Sequence, residues 1–157
     1  MSRVQLALNV ADLEASVAFY SKLFGIEPAK RRPGYANFAV TTPPLKLVLI
    51  EGEPGQATRL DHLGVEVAST EEVTAATTRL KDAGLATLQE TDTSCCYALQ
   101  DKVWVTGPGE EPWEVYVVKA DAGHMGQSPL SGGDACCAGP EGSTEPAPAA
   151  SGCACGS

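Results

Sequence analysis

Two sets of residues in this chain have the types and spacing to do chemistry. The first is Cys95-Cys96, within Thr93-Ser94-Cys95-Cys96-Tyr97, the only thiols in the first 120 residues. Neighbouring thiolates make a soft chelate suited to a thiophilic metal or metalloid. On a regular strand their side chains point to opposite faces, so a shared ligand requires a loop or a strand end. The competing reading is one buried cysteine beside one exposed cysteine, because free Cys is among the most buried residue types. The second set is Gln5, His62 and Glu114. An amide oxygen, an imidazole and a carboxylate suit a divalent first-row ion such as Fe(II), Mn(II) or Zn(II). Against this, His62 reads as a hydrogen-bonded core residue and Glu114 as a solvated edge residue.

Lys102 and Tyr97 stand next in rank. A lysine near the thiols lowers a thiolate pKa or binds an anionic intermediate, unless it is a solvated loop residue. Tyr97 is expected to pack beside the pocket. Trp104, Trp113 and Tyr116 wall the cavity or fill the core. Asp61, by strand alternation from His62, is expected to face away from the ligand side.

The elements that must position these groups read as one unit used twice. Val4, Leu6, Leu8 and Val10 alternate with Gln5, Ala7 and Asn9, which predicts a half-buried strand. Asp12 then caps a helix with Leu13, Val17, Tyr20 and Phe24 on one stripe, ended by Gly25. Strands follow at about 27–32, 35–41 and 46–51, separated by Pro33-Gly34 and Pro43-Pro44 turns. After a Gly- and Pro-rich linker at 52–58 the pattern restarts. Leu63, Val65 and Val67 oppose His62, Gly64 and Glu66; Ser69 or Thr70 caps a second helix with Val73, Ala76 and Leu80 inward; strands follow near 86–91, 97–106 and 113–119.

Gln5 falls opposite His62 at a separation of 57 residues, and Pro44-Leu45-Lys46 opposite Pro112-Trp113-Glu114, the mark of an internal duplication. The expected fold is α+β: two tandem βαβββ modules forming a curved mixed sheet around a metal-centred cavity, with helices on the apolar side. The modules span about 1–52 and 59–119 of a domain at 1–119.

Residues 120–157 form a tail of another kind. From 121 on it lacks Lys, Arg and aromatic residues, and it is read as a disordered or loosely docked appendage with thiols at Cys136, Cys137, Cys153 and Cys155. The 157 residues suffice for one domain, and a net charge of −9 argues against a nucleic-acid groove. There is no signal-like N-terminal stretch and no apolar run long enough to span a bilayer, so a soluble cytoplasmic protein with reduced thiols is expected.

These residues carry a resemblance over about 1–119. Gln5-x-x-x-Asn9-Val10-x-Asp12-x-x-x-Ser16-x-x-Phe19-Tyr20-x-x-Leu23-Phe24-Gly25, then Asp61-His62-Leu63-Gly64, then Pro108 and Pro112-Trp113-Glu114, resemble the vicinal oxygen chelate superfamily of glyoxalases and extradiol dioxygenases. Within it, Cys95-Cys96 ahead of Tyr97 and the cysteine-containing tail resemble the Fe(II)- and O2-dependent organoarsenical C–As lyases. The resemblance implies Fe(II) at Gln5, His62 and Glu114, with Gln5 standing where His is usual. It implies O2 as co-substrate and a trivalent organoarsenical whose arsenic is held by Cys95 and Cys96. Lys102 and Tyr97 would assist, the tail thiols would capture As(III), and the protein would be a monomer or homodimer. The alternatives are an extradiol dioxygenase or glyoxalase-like enzyme, disfavoured by Lys46 at the expected fourth ligand position, and a non-catalytic metalloid- or drug-sequestering module.

Overall fold

The structure, a computed structural model, describes residues 2–124 and residue 126; the tail thiols Cys136, Cys137, Cys153 and Cys155 lie outside the described residues. The element order is β1 (Arg3–Val10), α1 (Leu13–Phe24), β2 (Lys30–Arg32), β3 (Tyr35–Val40), β4 (Leu45–Glu51), β5 (Arg59–Glu66), α2 (Thr70–Asp82), β6 (Thr87–Cys95), β7 (Ala98–Thr106) and β8 (Pro112–Asp121). The strands form one mixed sheet in the order β2-β3-β4-β1-β5-β8-β7-β6. This is the expected pair of βαβββ units, joined where β1 and β5 run antiparallel.

Alternation sorts each strand into an apolar face under a helix and a second, largely polar face. Val10, Phe38, Leu47 and Leu49, with Leu6 and Leu8 partly buried, pack on Leu13 and Val17 of α1. Asp12 caps that helix through the Ala15 amide at 2.8 Å, and Gly25 closes it at φ +66°. In the second unit Val103 and Val117 pack on Val73 and Ala76 of α2. The opposite face collects Gln5, Lys46, His62, Gln100, Lys102 and Glu114, all buried. Burying so many polar groups is costly unless each finds a partner, so this face is where hydrogen bonding must be dense.

Three details depart from the expected pattern. First, β6 runs on past the expected end near 91 to Cys95 and pairs Cys95 with Ala98, so the thiols lie at a strand end, the tip of a hairpin. Second, Asp61 sits in a β-bulge: Ala7 pairs with His62 but Leu8 pairs with Leu60, leaving Asp61 without an opposite number. Third, Lys46 lies beside Gln5, whereas Glu114 lies beside Gly64. With Gln5 matched to His62, the pair Leu6–Leu63 lies on the pseudo-twofold axis, and Gly64 corresponds to Ala7, whose neighbour on β4 is Val48. The counterpart of Glu114 is therefore the apolar Val48 and not Lys46.

Candidate active site

Gln5, His62 and Glu114 come from β1, β5 and β8 and meet on the polar face. Gln5 Nε2 is 2.9 Å from His62 Nε2 and 2.8 Å from Glu114 Oε1. His62 Nε2 is 3.4 Å from Glu114 Oε1. Three cis ligands about 2.1 Å from one ion stand roughly 3 Å apart, so this spacing fits a three-donor face with open positions opposite. The amide needs only a half-turn about Cγ–Cδ to offer its oxygen in place of its nitrogen. Among the described residues no cluster of three His, Cys, Asp or Glu side chains is placed to hold an ion, so a three-donor set at this place would include the amide.

Neighbouring groups set the charge and aim of each donor. Burial pushes the Glu114 carboxyl up, but Lys102 and His62 overcome this and hold it down at about 2. Lys102 Nζ donates to Glu114 Oε2 at 2.6 Å, which leaves Oε1 as the carboxylate's free ligand atom. Lys102 is thus not a solvated loop residue: it is fully buried on β7, with its ammonium over the rings of Trp104 and Tyr116. Burial opposes protonation of His62, yet hydrogen bonds to Asp61 and Glu114 raise it to about 9. Asp61 Oδ1 lies 2.6 Å from His62 Nδ1, and Asn9 donates to its other oxygen at 2.8 Å. The bulge turns Asp61 toward the ring it was expected to leave, and Asp61 fixes which imidazole nitrogen faces the cluster.

The thiols stand on the same side. Cys96 and Tyr97 are the two central residues of the β6–β7 turn, at φ +52° and +59°. Positive φ at both positions is the type I′ hairpin geometry that Asn-Gly usually supplies. Here two side chains that disfavour it occupy it, at a cost of roughly 1–2 kcal/mol each. Several contacts hold the turn there. Gln100 Nε2 donates to the Cys95 carbonyl at 3.1 Å, Lys30 Nζ to the Tyr97 carbonyl at 3.3 Å, and the Tyr97 hydroxyl to the Pro33 carbonyl at 3.2 Å. The Tyr97 ring lies against Tyr35, with its hydroxyl proton committed to Pro33.

The outcome of this turn is that the two sulfurs lie 3.4 Å apart. Cys95 is buried, and Cys96 packs against Ala7, Tyr35 and Val48. The hydrogen bond from Cys96 lowers the Cys95 thiol to about 7, against burial and with help from Lys102. The same partner and burial push Cys96 well up, so the pair ionises first at Cys95.

Comparison with known proteins places this geometry. The model of the Glyoxalase/Bleomycin resistance protein/Dioxygenase superfamily matches residues 3–115. The chain belongs to that superfamily. A relative from Thermomonospora curvata, named trivalent organoarsenical cleaving enzyme, is 69% identical over 87% of this chain and 89% of its own length. The cadmium-induced protein CadI of Mycobacterium tuberculosis is 61% identical over 88% of this chain and 95% of its own. A trivalent organoarsenical cleaving enzyme from a Bacillus species is 43% identical over 76% of this chain and 74% of its own. Among solved structures, an extradiol ring-cleaving dioxygenase from B. fuscum aligns at TM-score 0.56 and 21% identity, over 76% of this chain and 33% of that one. The Mn(II)-bound glyoxalase from Novosphingobium aromaticivorans aligns at TM-score 0.56 and 20% identity, over 82% and 44%. These two share the superfamily's curved-sheet fold with this chain.

Sequence reasoning turned Asp61 away from the cluster, took Tyr116 only as cavity wall or core, and did not single out Glu66. Glu66 had a signal, since it alternates with His62 and Gly64 along β5. The bulge that turns Asp61 has none in the alternation.

Proposed function

We propose that this chain cleaves the C–As bond of trivalent organoarsenicals, methylarsonous acid and trivalent aromatic arsenicals, releasing inorganic arsenite in an Fe(II)- and O2-dependent reaction. The observation that carries the reading is the pair of sulfurs held 3.4 Å apart by a strained turn, on the same face as the Gln5–His62–Glu114 cluster. The names of the 69% and 43% identical relatives support the same activity.

Each group has a separate task. An arsenical R–As(OH)2 exchanges both hydroxides for sulfur, each leaving as water with one proton. Cys95, ionised near neutral pH, attacks first, the first hydroxide taking its proton from solvent, and Cys96 follows as its own proton passes to the second departing hydroxide. Trivalent arsenic is soft and takes sulfur, while the N/O cluster suits the harder ion. The dithiolate thus fixes the organic group against the cluster and makes the later step intramolecular. Gln5 Oε1, His62 Nε2 and Glu114 Oε1 would hold Fe(II), which when bound supplies activation of O2. Lys102 keeps Glu114 ionised and monodentate, and Asp61 holds the imidazole in place.

Val48 at the fourth pseudo-symmetric corner denies the four-ligand set of a glyoxalase, which favours the lyase reading over that alternative. The thiols work only when reduced, which fits a reducing cytoplasm. The substrate is a small molecule, and a net charge of −9 argues against a nucleic-acid partner. The protein acts as a monomer or homodimer.

The test is oxygen uptake and arsenite release by the full chain with Fe(II), a thiol reductant and methylarsonous acid. Coupled uptake and release are expected. Binding of the arsenical without either would establish sequestration instead, a reading that the cadmium-induced relative keeps in view.

A further inference from the structure

The hydroxyl of Tyr116 has two acceptors and one proton. Its oxygen lies 2.5 Å from Gln5 Oε1 and 2.9 Å from Glu66 Oε2, and it already accepts from Lys46 Nζ at 3.1 Å. Only one of the two short contacts to acceptors can carry the phenolic proton. Glu66 is itself fixed by Arg3, through bonds of 3.1 and 3.0 Å, with Lys46 3.4 Å away. With the amide nitrogen of Gln5 turned inward to His62 and Glu114, one oxygen beside Tyr116 therefore lacks a proton.

The half-turn of the amide reverses the balance. Gln5 Nε2 then donates to the Tyr116 oxygen, Tyr116 donates to Glu66, and every group on that side has a partner. The conflict moves inward, where Gln5 Oε1 comes to face Glu114 Oε1 across 2.8 Å, the distance now spanned by the amide nitrogen. Two facing oxygens at that distance repel unless a cation lies between them. The outer partners therefore favour the oxygen inward, where a cation between the two oxygens, or a proton on His62 Nε2 at 2.9 Å from the amide, relieves the contact.

We propose that Tyr116, backed by Glu66, Arg3 and Lys46, is a positioning residue that turns the Gln5 amide oxygen inward, toward a bound cation. The inference rests on the metal-site reading above and adds to it a group that touches no ion. Outer partners of this kind shift metal affinity by about 10- to 100-fold.

The test is anaerobic titration of the full chain with Fe(II), and with Co(II) as a spectroscopic probe, in wild type, Tyr116→Phe, Gln5→His and the double variant. Tyr116→Phe is expected to weaken binding at least about 10-fold in the Gln5 background and less than about twofold in the Gln5→His background, which has no amide to orient. Unchanged affinity in Tyr116→Phe overturns the proposal, and so does an equal loss in both backgrounds, the mark of a general structural defect. Wild type that binds neither ion overturns the metal site itself and the proposal with it. Glu66→Gln serves if Tyr116→Phe does not fold: it keeps the shape, weakens the pull on the phenolic proton, and should cost a few-fold in affinity in the Gln5 background only.

Discussion

Gly64 stands between the ligand strands, paired with Gln5 on one side and Glu114 on the other. A Cβ added there would lie 3.1 Å from Glu114 Cγ, 3.3 Å from Gln5 Cβ and 3.3 Å from Tyr116 Cε1. These are tighter than ordinary van der Waals contacts, so each neighbour must give by a few tenths of an ångström. A buried sheet absorbs that at about 1–3 kcal/mol of overpacking, offset by about 0.5–1 kcal/mol because Ala loses less chain entropy than Gly. The net cost of Gly64→Ala is then about 1 kcal/mol, a fall of a few degrees in Tm. Metal ligation is less forgiving, since donor distances hold to about 0.2 Å. The added methyl pushes Gln5 and Glu114 apart by more than that, so Fe(II) or Co(II) affinity should drop about 10- to 100-fold while the chain stays folded. Calorimetric titration of the metal beside a thermal melt followed by circular dichroism reads both quantities. Wild-type metal affinity in a folded Gly64→Ala protein would refute the claim that these three strands form the ion's cradle.

Three other outcomes follow from the same geometry. Cys95→Ser and Cys96→Ser should each abolish arsenical binding while leaving Fe(II) affinity within about threefold, since the thiols and the N/O cluster are separate ligand sets; parallel loss of both would count against that division. The alkylation rate of Cys95 in Cys96→Ala should level off at high pH with its midpoint displaced above 7, because the donor that lowers Cys95 is gone; an unshifted midpoint, measured with iodoacetamide and mass mapping, would assign the shift to Lys102 instead. The stability that His62 adds to the metal-free chain should be lost between about pH 6.5 and 9. His62 has a folded pKa raised to about 9 over an ordinary value of 6.5, so its contribution is full below 6.5 and gone above 9. The loss is up to about 3 kcal/mol, read as the shrinking difference in Tm between the chain and His62→Gln across that window, because Cys95, lowered to about 7, titrates there in both.

Much of this site was legible before the fold was described. Period-two alternation puts Gln5, His62 and Glu114 on the non-helical face, and the 57-residue repeat brings the first two together. The thiol pair was visible as a type of residue, but its geometry was not. Cys96-Tyr97 carries none of the Gly or Asn that marks a type I′ turn, because tertiary contacts from Gln100, Lys30 and Pro33 hold the backbone there. The bulge at Asp61 and the register that sets Val48 opposite Glu114 are long-range pairings, and local pattern is blind to both. Lys102 shows the same limit: a lysine reads as solvated until the carboxylate from β8 arrives beside it.

On the proposed O2-dependent reading, the hairpin tip bears on a hazard that the site brings on itself. Thiols beside activated O2 are exposed to oxidation, and adjacent cysteines have the shortest route to a mutual disulfide. A disulfide needs its sulfurs about 2.0 Å apart, whereas this turn holds them at 3.4 Å, a bite that spans one large atom. Closing the gap means driving Cys96 and Tyr97 away from the backbone that Gln100, Lys30 and Pro33 hold. The strain that keeps the chelate open for arsenic therefore also resists its oxidation between turnovers.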